Sequence, residues 1–406
     1  MSFLAVFVCY IDRVNISVAA IAMQDQFGWS DTTKGVVLSS FFIGYILTLA
    51  VAGWAANRFG TKRVLGFAVV WWSIFTIVTP LAAYASFPLL IAARIALGLG
   101  EAATFPAGYG ILGKWFPPGE RSRAIGLLMS GIPVGTLFAL MTTGWIVTNY
   151  GWPASFYLFG VVGFFWAAAW YLLVYESPAE HPDISAAERQ LIEGGITPPA
   201  ERRPVPWGQL FRLGAFWALI VNHFCSNWVL YIFLAWLPSY FRDVQGLSIS
   251  GAGIYSAAPW LTMFLMTNVS AWIADRMLKH GISTTAVRKT MQSIGLLGTA
   301  LFLLLVRDVD SAGLAVVYMS AALGLAAFTI PGFGTNHLDI APKYADVLVG
   351  ITNTFGTIPG IVGVALTGWI VDRTGSFDSV FVVVAVTNVI GTAIWLIFSS
   401  GRKLVD

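Results

Sequence analysis

The sequence predicts an all-α polytopic membrane protein, with twelve transmembrane helices in two pseudo-symmetric six-helix bundles built from inverted three-helix repeats. Three observations carry this expectation. Of 406 residues, 57% are hydrophobic and only 11% charged, with a mean hydropathy of +0.76; a soluble domain carries about 25% charged residues. The apolar residues fall into a dozen blocks, each near the ~20 residues that a helix needs to cross a bilayer. A short motif also returns at intervals of about three blocks.

The blocks lie at 3–24, 33–56, 64–84, 87–115, 121–148, 153–175, 211–240, 250–277, 288–306, 312–340, 346–371 and 377–399. The first carries internal charges and lacks a basic leader and a cleavage site, so it reads as a span and not as a signal peptide. Cys9 and Cys225 both fall inside spans, which argues against a disulfide framework. The fourth span holds Gly98, Gly100, Ala102 and Ala103, and the fifth holds Gly126, Gly131 and Gly135; such small residues allow close helix approach. Pro106, Pro133, Pro331 and Pro359 lack a backbone donor and should bend their spans. Between the sixth and seventh spans, Glu176 to Gly208 is charged and proline-rich. It reads as a linker with a short amphipathic helix around 186–192. The expected division is a six-helix bundle over 1–175, a cytoplasmic linker over 176–208 and a second bundle over 209–406.

Basic residues set the expected topology. Seventeen of the 23 Lys and Arg fall on the side that holds both termini and four on the other, leaving Arg13 and Arg94 inside spans. The positive-inside rule then places both termini in the cytoplasm. The net charge of +3 reports this topology, and no nucleic-acid partner is expected from it. The repeat reads GWAANRFG (53–60), GWIVTNYG (144–151) and GWIVDRTG (368–375), with AWIADRML (271–278) as a degenerate fourth copy. Alternate copies end on opposite faces, as inverted three-span units require.

These residues carry a family resemblance. GWAANRFGTKR resembles the loop signature of the major facilitator superfamily, matched at Gly53, Arg58, Gly60, Lys62 and Arg63, with Asn57 in place of the usual Asp. Asp275 and Arg276 retain the acid and base of the copy in the other half. The resemblance implies a gate or structural role for these seven matched residues, at the inner gate, and not substrate contact. YIDRVNIS in span 1, RIALGLGEAATFPA in span 4 and NHLDIAPKYADVLVGITNTFGTIPG across spans 10 and 11 look like the anion:cation symporters, which include sialin, the vesicular glutamate transporters, plant plastid phosphate carriers and bacterial galactonate and hexuronate carriers. The adjacency of Asp12 and Arg13, the short gap after span 1 and Cys225-Ser226-Asn227-Trp228 without an Arg point to a bacterial member, hence to the bacterial inner membrane.

Four charges lie well inside spans: Asp12, Arg13, Arg94 and Glu101. Each opposes insertion by roughly 2.5–3.5 kcal/mol near mid-membrane, so such groups face the bundle interior, paired or wetted, and mark transport pathways. Arg94 and Glu101, seven apart, share a helical face two turns apart, whereas Asp12 and Arg13 diverge by about 100°. Arg13 is therefore expected to face a central cavity and Asp12 to look toward span 4; the competing reading is a purely structural ion network. Asp12 and Glu101 are the expected proton-coupling groups. Arg13 and Arg94, with Tyr10, Tyr45, Asn336, His337 and Asn353, are the expected substrate-binding residues, the resemblance supporting Tyr10, Tyr45 and Asn353. His223 is a further candidate.

The expected function is proton-coupled symport of a small organic anion, a sugar acid such as galactonate, glucarate or a hexuronate, by a monomer in the lipid bilayer. The alternative is an organic anion or organophosphate/phosphate exchanger of the same fold. Protons are the expected coupling ion, with no other cofactor and no metal. No Walker loop, zinc spacing or Cys pair appears, so no catalytic residue is expected and the chain does not read as an enzyme.

Overall fold

The computed structural model describes residues 1–195 and 205–405. The basic pair Arg202 and Arg203 and the adjoining prolines of the linker lie outside the described residues. In chain order the helices are α1 (Ser2–Phe27), α2 (Asp31–Phe59), α3 (Thr61–Ala85), α4 (Phe87–Glu101), α5 (Thr104–Trp115), α6 (Pro118–Tyr150), α7 (Trp152–Leu173), α8 (Ala186–Gly195), α9 (Trp207–Leu210), α10 (Gly214–Asp243), α11 (Ile249–Lys279), α12 (Thr284–Leu305), α13 (Ala312–Ala326), α14 (Asn336–Ile340), α15 (Ala345–Thr374) and α16 (Asp378–Phe398). Among the described residues, twelve segments are long and apolar enough to cross a membrane. The expected all-α architecture is therefore present, and α8 occupies the place of the linker's expected amphipathic helix.

The repeated motif has a local physical meaning. Its final glycine ends a helix with a positive φ in three copies: 95° at Gly60, 81° at Gly151 and 66° at Gly375. Only glycine adopts that backbone without a Cβ penalty.

The fourth and tenth spans, expected to bend at Pro106 and Pro331, are each interrupted within the span. The breaks fall at Ala102–Ala103 and over 327–335, where a π-turn (Ile330–Gly334) precedes α14. Both α4 and α13 are 15 residues long, and each break starts four residues before a proline, Pro106 or Pro331. A proline ring clashes with the carbonyl of the residue four positions earlier and withholds the hydrogen bond. By contrast α6 and α15 run on through Pro133 and Pro359.

Packing divides the chain into two compact units, Met1–Ala19 with Ser40–Arg203, and Ala20–Ser39 with Pro204–Asp406. In the first, α3 packs on α4 and α7, and α2 crosses α4 at backbone contact. A Cβ on Gly44 would stand 1.9 Å from the Ile95 carbonyl oxygen, and one on Gly98 would stand 2.1 Å from that of Phe41. Gly131 and Gly135 also pack on α1, where a Cβ would stand 2.8 Å from the Phe3 and 2.6 Å from the Phe7 carbonyl oxygen, whereas Gly126 faces open space. In the second unit, α10 packs on α15 and α16, and α12 on α13 and α16. The end of α1 and the start of α2 belong to this second unit because Asp372 of α15 caps α2, accepting from the backbone N–H of Asp31 at 2.8 Å and of Thr32 at 2.7 Å. Lys34 is fully buried there, 2.5 Å from Gln24 Oε1 and 3.0 Å from Asp31 Oδ1.

Candidate functional site

The four intramembrane charges all lie in the first unit, and each is buried. Arg13 on α1 donates through Nε to a single oxygen, Glu101 Oε2, at 3.0 Å; its Nη2 lies 2.9 Å from the same oxygen and donates to Cys9 Sγ at 3.8 Å. Cys9, one turn earlier on α1, donates to the same oxygen at 3.2 Å. Three aromatic rings surround the guanidinium: Tyr10 at 4.8 Å, Phe41 at 4.9 Å and Tyr45 at 5.0 Å. Arg13 is thus held between one carboxylate oxygen and three π faces. Glu101 owes its place to the break after α4, which makes it the last residue of that helix.

The other three carboxylate oxygens are unsatisfied. Glu101 Oε1 and both oxygens of Asp12 make no hydrogen bond among the described residues. Arg94, Trp72 and Thr76 lie around Asp12, yet Arg94 Nε and Nη1 and Trp72 Nε1 also make none. Asp12 therefore looks toward α3 as well as α4, and Arg94 approaches the face of Phe41 at 5.7 Å. Buried polar groups in folded proteins are nearly always hydrogen-bonded. Exceptions concentrated on one side of a salt bridge leave polar atoms there that water, a proton or a ligand could satisfy. Cys9, Phe41, Trp72 and Asn15, whose buried amide is likewise unsatisfied, were not singled out by the sequence reading. The one available signal was helical spacing, since Cys9 and Arg13 are one turn apart.

The remaining candidates lie in the second unit. His337 on α14 and Asn353 on α15 flank the buried Thr352, which contacts both His337 Nε2 at 2.9 Å and His223 Nδ1 at 3.1 Å. The Asn353 side chain is half-buried. Asn336, expected to meet substrate, uses its amide nitrogen locally, on Asp339 Oδ2 at 3.1 Å and the Ser400 carbonyl at 2.9 Å. Asp339 is itself gripped by Arg288 at 2.6 and 3.2 Å. Gln292, absent from the sequence reading, closes the broken tenth span by accepting from Phe333 N–H at 3.1 Å and donating to Asn222 at 2.9 Å.

The loop between α2 and α3 is braced within the first unit. Glu176 accepts from the backbone N–H of Thr61 at 2.8 Å and of Lys62 at 2.7 Å, from the Thr61 hydroxyl and from the Lys114 ammonium. Burial alone would raise the pKa of this carboxyl, but the Lys114 ammonium and the Lys62 and Thr61 donors outweigh it and hold the group below the ordinary range. Lys62 also lies over the Tyr175 ring, while the side chains of Arg58, Arg63, Asp275 and Arg276 are exposed and Gly53 faces open space.

The sequence profile of the Major Facilitator Superfamily matches residues 2–364. The chain belongs to that superfamily. Its relatives within the superfamily include Probable anion transporter 4, chloroplastic, of Oryza sativa subsp. japonica, 44% identical over all of this chain and 68% of that protein. Sodium-dependent phosphate transport protein 1, chloroplastic, of Arabidopsis thaliana is 41% identical over all of this chain and 79% of that protein. Among solved structures, a bacterial homologue of the human lysosomal transporter Spinster, inward-facing and unoccupied, shares the fold with a TM-score of 0.81 at 20% identity, covering 98% of this chain and 96% of that one. This superfamily member is an integral membrane transporter of small solutes and not an enzyme. The two plant relatives are chloroplastic, so the expectation of a bacterial inner membrane finds no support in them.

Proposed function

We propose that the chain exchanges small anions across the membrane, the anion taking the place of the Glu101 carboxylate on Arg13. The observation that carries this is the isolation of that guanidinium: buried, ringed by Tyr10, Phe41 and Tyr45, and paired with one oxygen only. Removing one partner of a buried ion pair costs about 3–5 kcal/mol. States in which Arg13 has neither Glu101 nor an anion are therefore rare, and the carrier changes conformation when one of the two is in place. Plant relatives named for anion and phosphate transport support the anionic class. In this reading the halves 1–175 and 209–406 are the moving bodies, both termini lie on the basic face, and the loop braced by Glu176 belongs to the inner gate.

A second reading, symport of a sugar acid with protons, rests on the unsatisfied oxygens of Asp12 and Glu101. If these take protons from one side, Glu101 releases Arg13 to the anion, and returning the protons on the other side expels it. A second proton per monoanion would add about 2.3 kcal/mol per 100 mV of membrane potential.

Counterflow in proteoliposomes separates the two. With labelled phosphate or galactonate outside, exchange requires unlabelled anion inside and proceeds without a pH gradient. Symport accumulates label under an inward proton gradient with empty vesicles. Transport of neither anion under either condition would overturn the proposal for both substrates.

A further inference from the structure

Independently of the anion carriage described above, we propose that a cavity beside the braced loop of the first unit holds the headgroup of an anionic phospholipid of the phosphatidylglycerol class. The cavity has a volume of about 410 Å³. It is lined by Phe59 at the end of α2, Lys62 and Arg63 at the start of α3, Tyr171 near the end of α7, and Glu176 and Glu180 beyond it.

The two acids differ in what they have left to offer. Glu176 is committed to the brace: Oε1 accepts from the Thr61 backbone N–H, the Thr61 hydroxyl and the Lys114 ammonium, and Oε2 accepts from the Lys62 N–H. With Glu176 matched to Lys114, the bases Lys62 and Arg63 face Glu180 alone, and one positive charge is left over. A headgroup of net charge minus one balances it, whereas a zwitterionic headgroup does not. Arg63 is exposed. The Lys62 ammonium has three N–H donors, and it gives one to the Tyr171 carbonyl at 3.3 Å while resting over the Tyr175 ring. Glu180 ends the short turn Pro178–Glu180 with its side chain exposed; as a carboxylate it only accepts. The phosphate therefore goes to Lys62 and Arg63, and the glycerol hydroxyls donate to Glu180.

The rim of the cavity identifies the source of that phosphate. Phe59 is exposed and stands edge-on to the exposed Trp54 at 5.7 Å. Tyr171, Leu172 and Leu173 are exposed at the end of α7. Trp and Tyr at span ends settle at the level of lipid headgroups, and basic pockets between helices there hold anionic ones. A lipid satisfies both the bases and the apolar rim; a free phosphate satisfies only the bases.

Intact-complex mass spectrometry of the whole chain, titrated with defined lipids, tests this without any transport measurement. The wild type should retain phosphatidylglycerol about fivefold or more over phosphatidylethanolamine, the factor expected for one charge at a membrane surface. Arg63→Gln and Lys62→Gln should each weaken phosphatidylglycerol binding about fivefold. Lys279→Gln, which removes an exposed base of the second unit, should leave it unchanged. Phosphatidylmethanol keeps the charge and lacks the hydroxyls, so the wild type should hold it about threefold less tightly, and Glu180→Gln should narrow that gap. Excess inorganic phosphate should not displace the lipid. Equal retention of phosphatidylglycerol and phosphatidylethanolamine by the wild type, or an unchanged preference in the folded Arg63→Gln and Lys62→Gln variants, overturns the site. An equal loss in Lys279→Gln overturns it in favour of diffuse surface charge, and displacement by phosphate overturns the lipid in favour of a free anion.

Discussion

Replacing Glu101 with Gln should tighten anion binding while slowing exchange. In the wild type, Arg13 Nε and Nη2 both lie within 3.0 Å of Glu101 Oε2, and neither side chain is more than 5% exposed. Removing one partner of such a pair costs about 3–5 kcal/mol. Gln retains a carbonyl oxygen in the same place, which recovers about 1 kcal/mol as a neutral hydrogen bond. The empty variant should therefore be destabilised by about 2–4 kcal/mol. An arriving anion no longer competes with a carboxylate, so at the lower end its affinity should rise by about 2 kcal/mol, roughly 30-fold in Kd. Release then exposes an unpaired buried guanidinium, so turnover falls. Thermal unfolding of purified protein should show a lower Tm without anion and a larger rise on adding phosphate than in the wild type. Binding unchanged or weaker in the folded variant, or counterflow at the wild-type rate, would refute the competition between Glu101 and substrate.

Arg13→Lys should weaken phosphate or galactonate binding by about 10-fold or more, because a compact ammonium cannot reproduce the planar grip on one oxygen and the stacking on three rings; equilibrium competition reads this, and unchanged affinity moves the anion to Arg94. Glu176→Gln should cost about 1 kcal/mol at neutral pH, a figure reduced for the partial exposure of the pair. Since the folded carboxyl titrates below its ordinary 4.5, that stability is present above 4.5 and is lost as the pH falls through the lower folded value. The wild-type and variant unfolding curves should therefore converge in acid, and a gap that persists there would refute the charge-based brace. Asp372→Ala removes the cap on α2 and should cost about 1 kcal/mol in thermal unfolding, whereas Asp372→Asn should retain part of it.

Hydropathy blocks made the twelve spans legible because lipid forces each span to satisfy its own backbone, and the charges inside them stood out against that background. Pairings were harder to read. Arg13 and Glu101 are far apart in sequence, and they meet in a unit where α2 also crosses α4 through Gly44 and Gly98, a geometry that small-residue content alone does not specify. Asn336 is a ligand candidate from its polarity inside a span, and the sequence could not show that its amide nitrogen is used on Asp339 and Ser400 while its Oδ1 is left without a partner among the described residues. Thr352 and Gln292 escaped notice for the opposite reason, since a single Thr or Gln in a span is commonplace and its importance lies in the two partners it joins. Prolines signalled bending at four places, and the signal could not say which two helices would break.

The two breaks that did occur show how one duplicated backbone device supports different chemistry. Pro106 and Pro331 interrupt their helices at matching places, and each interruption frees backbone groups that a membrane protein must satisfy. In the first unit the break ends α4 on Glu101, whose carboxylate meets Arg13. In the second the helix ends on Ala326, and the freed chain forms a π-turn whose Phe333 N–H is taken by the neutral Gln292. Discontinuous spans are where transporters place polar chemistry near mid-membrane. Here Asp12, Arg13, Arg94 and Glu101 lie in the first unit, whereas the corresponding break in the second is met by the neutral Gln292 and by Arg288, which donates to the Pro331 carbonyl at 3.0 Å while paired with Asp339. The first break thus ends on an acid matched to a buried base, and at the second an Arg–Asp pair and a neutral amide satisfy the backbone groups that the proline frees.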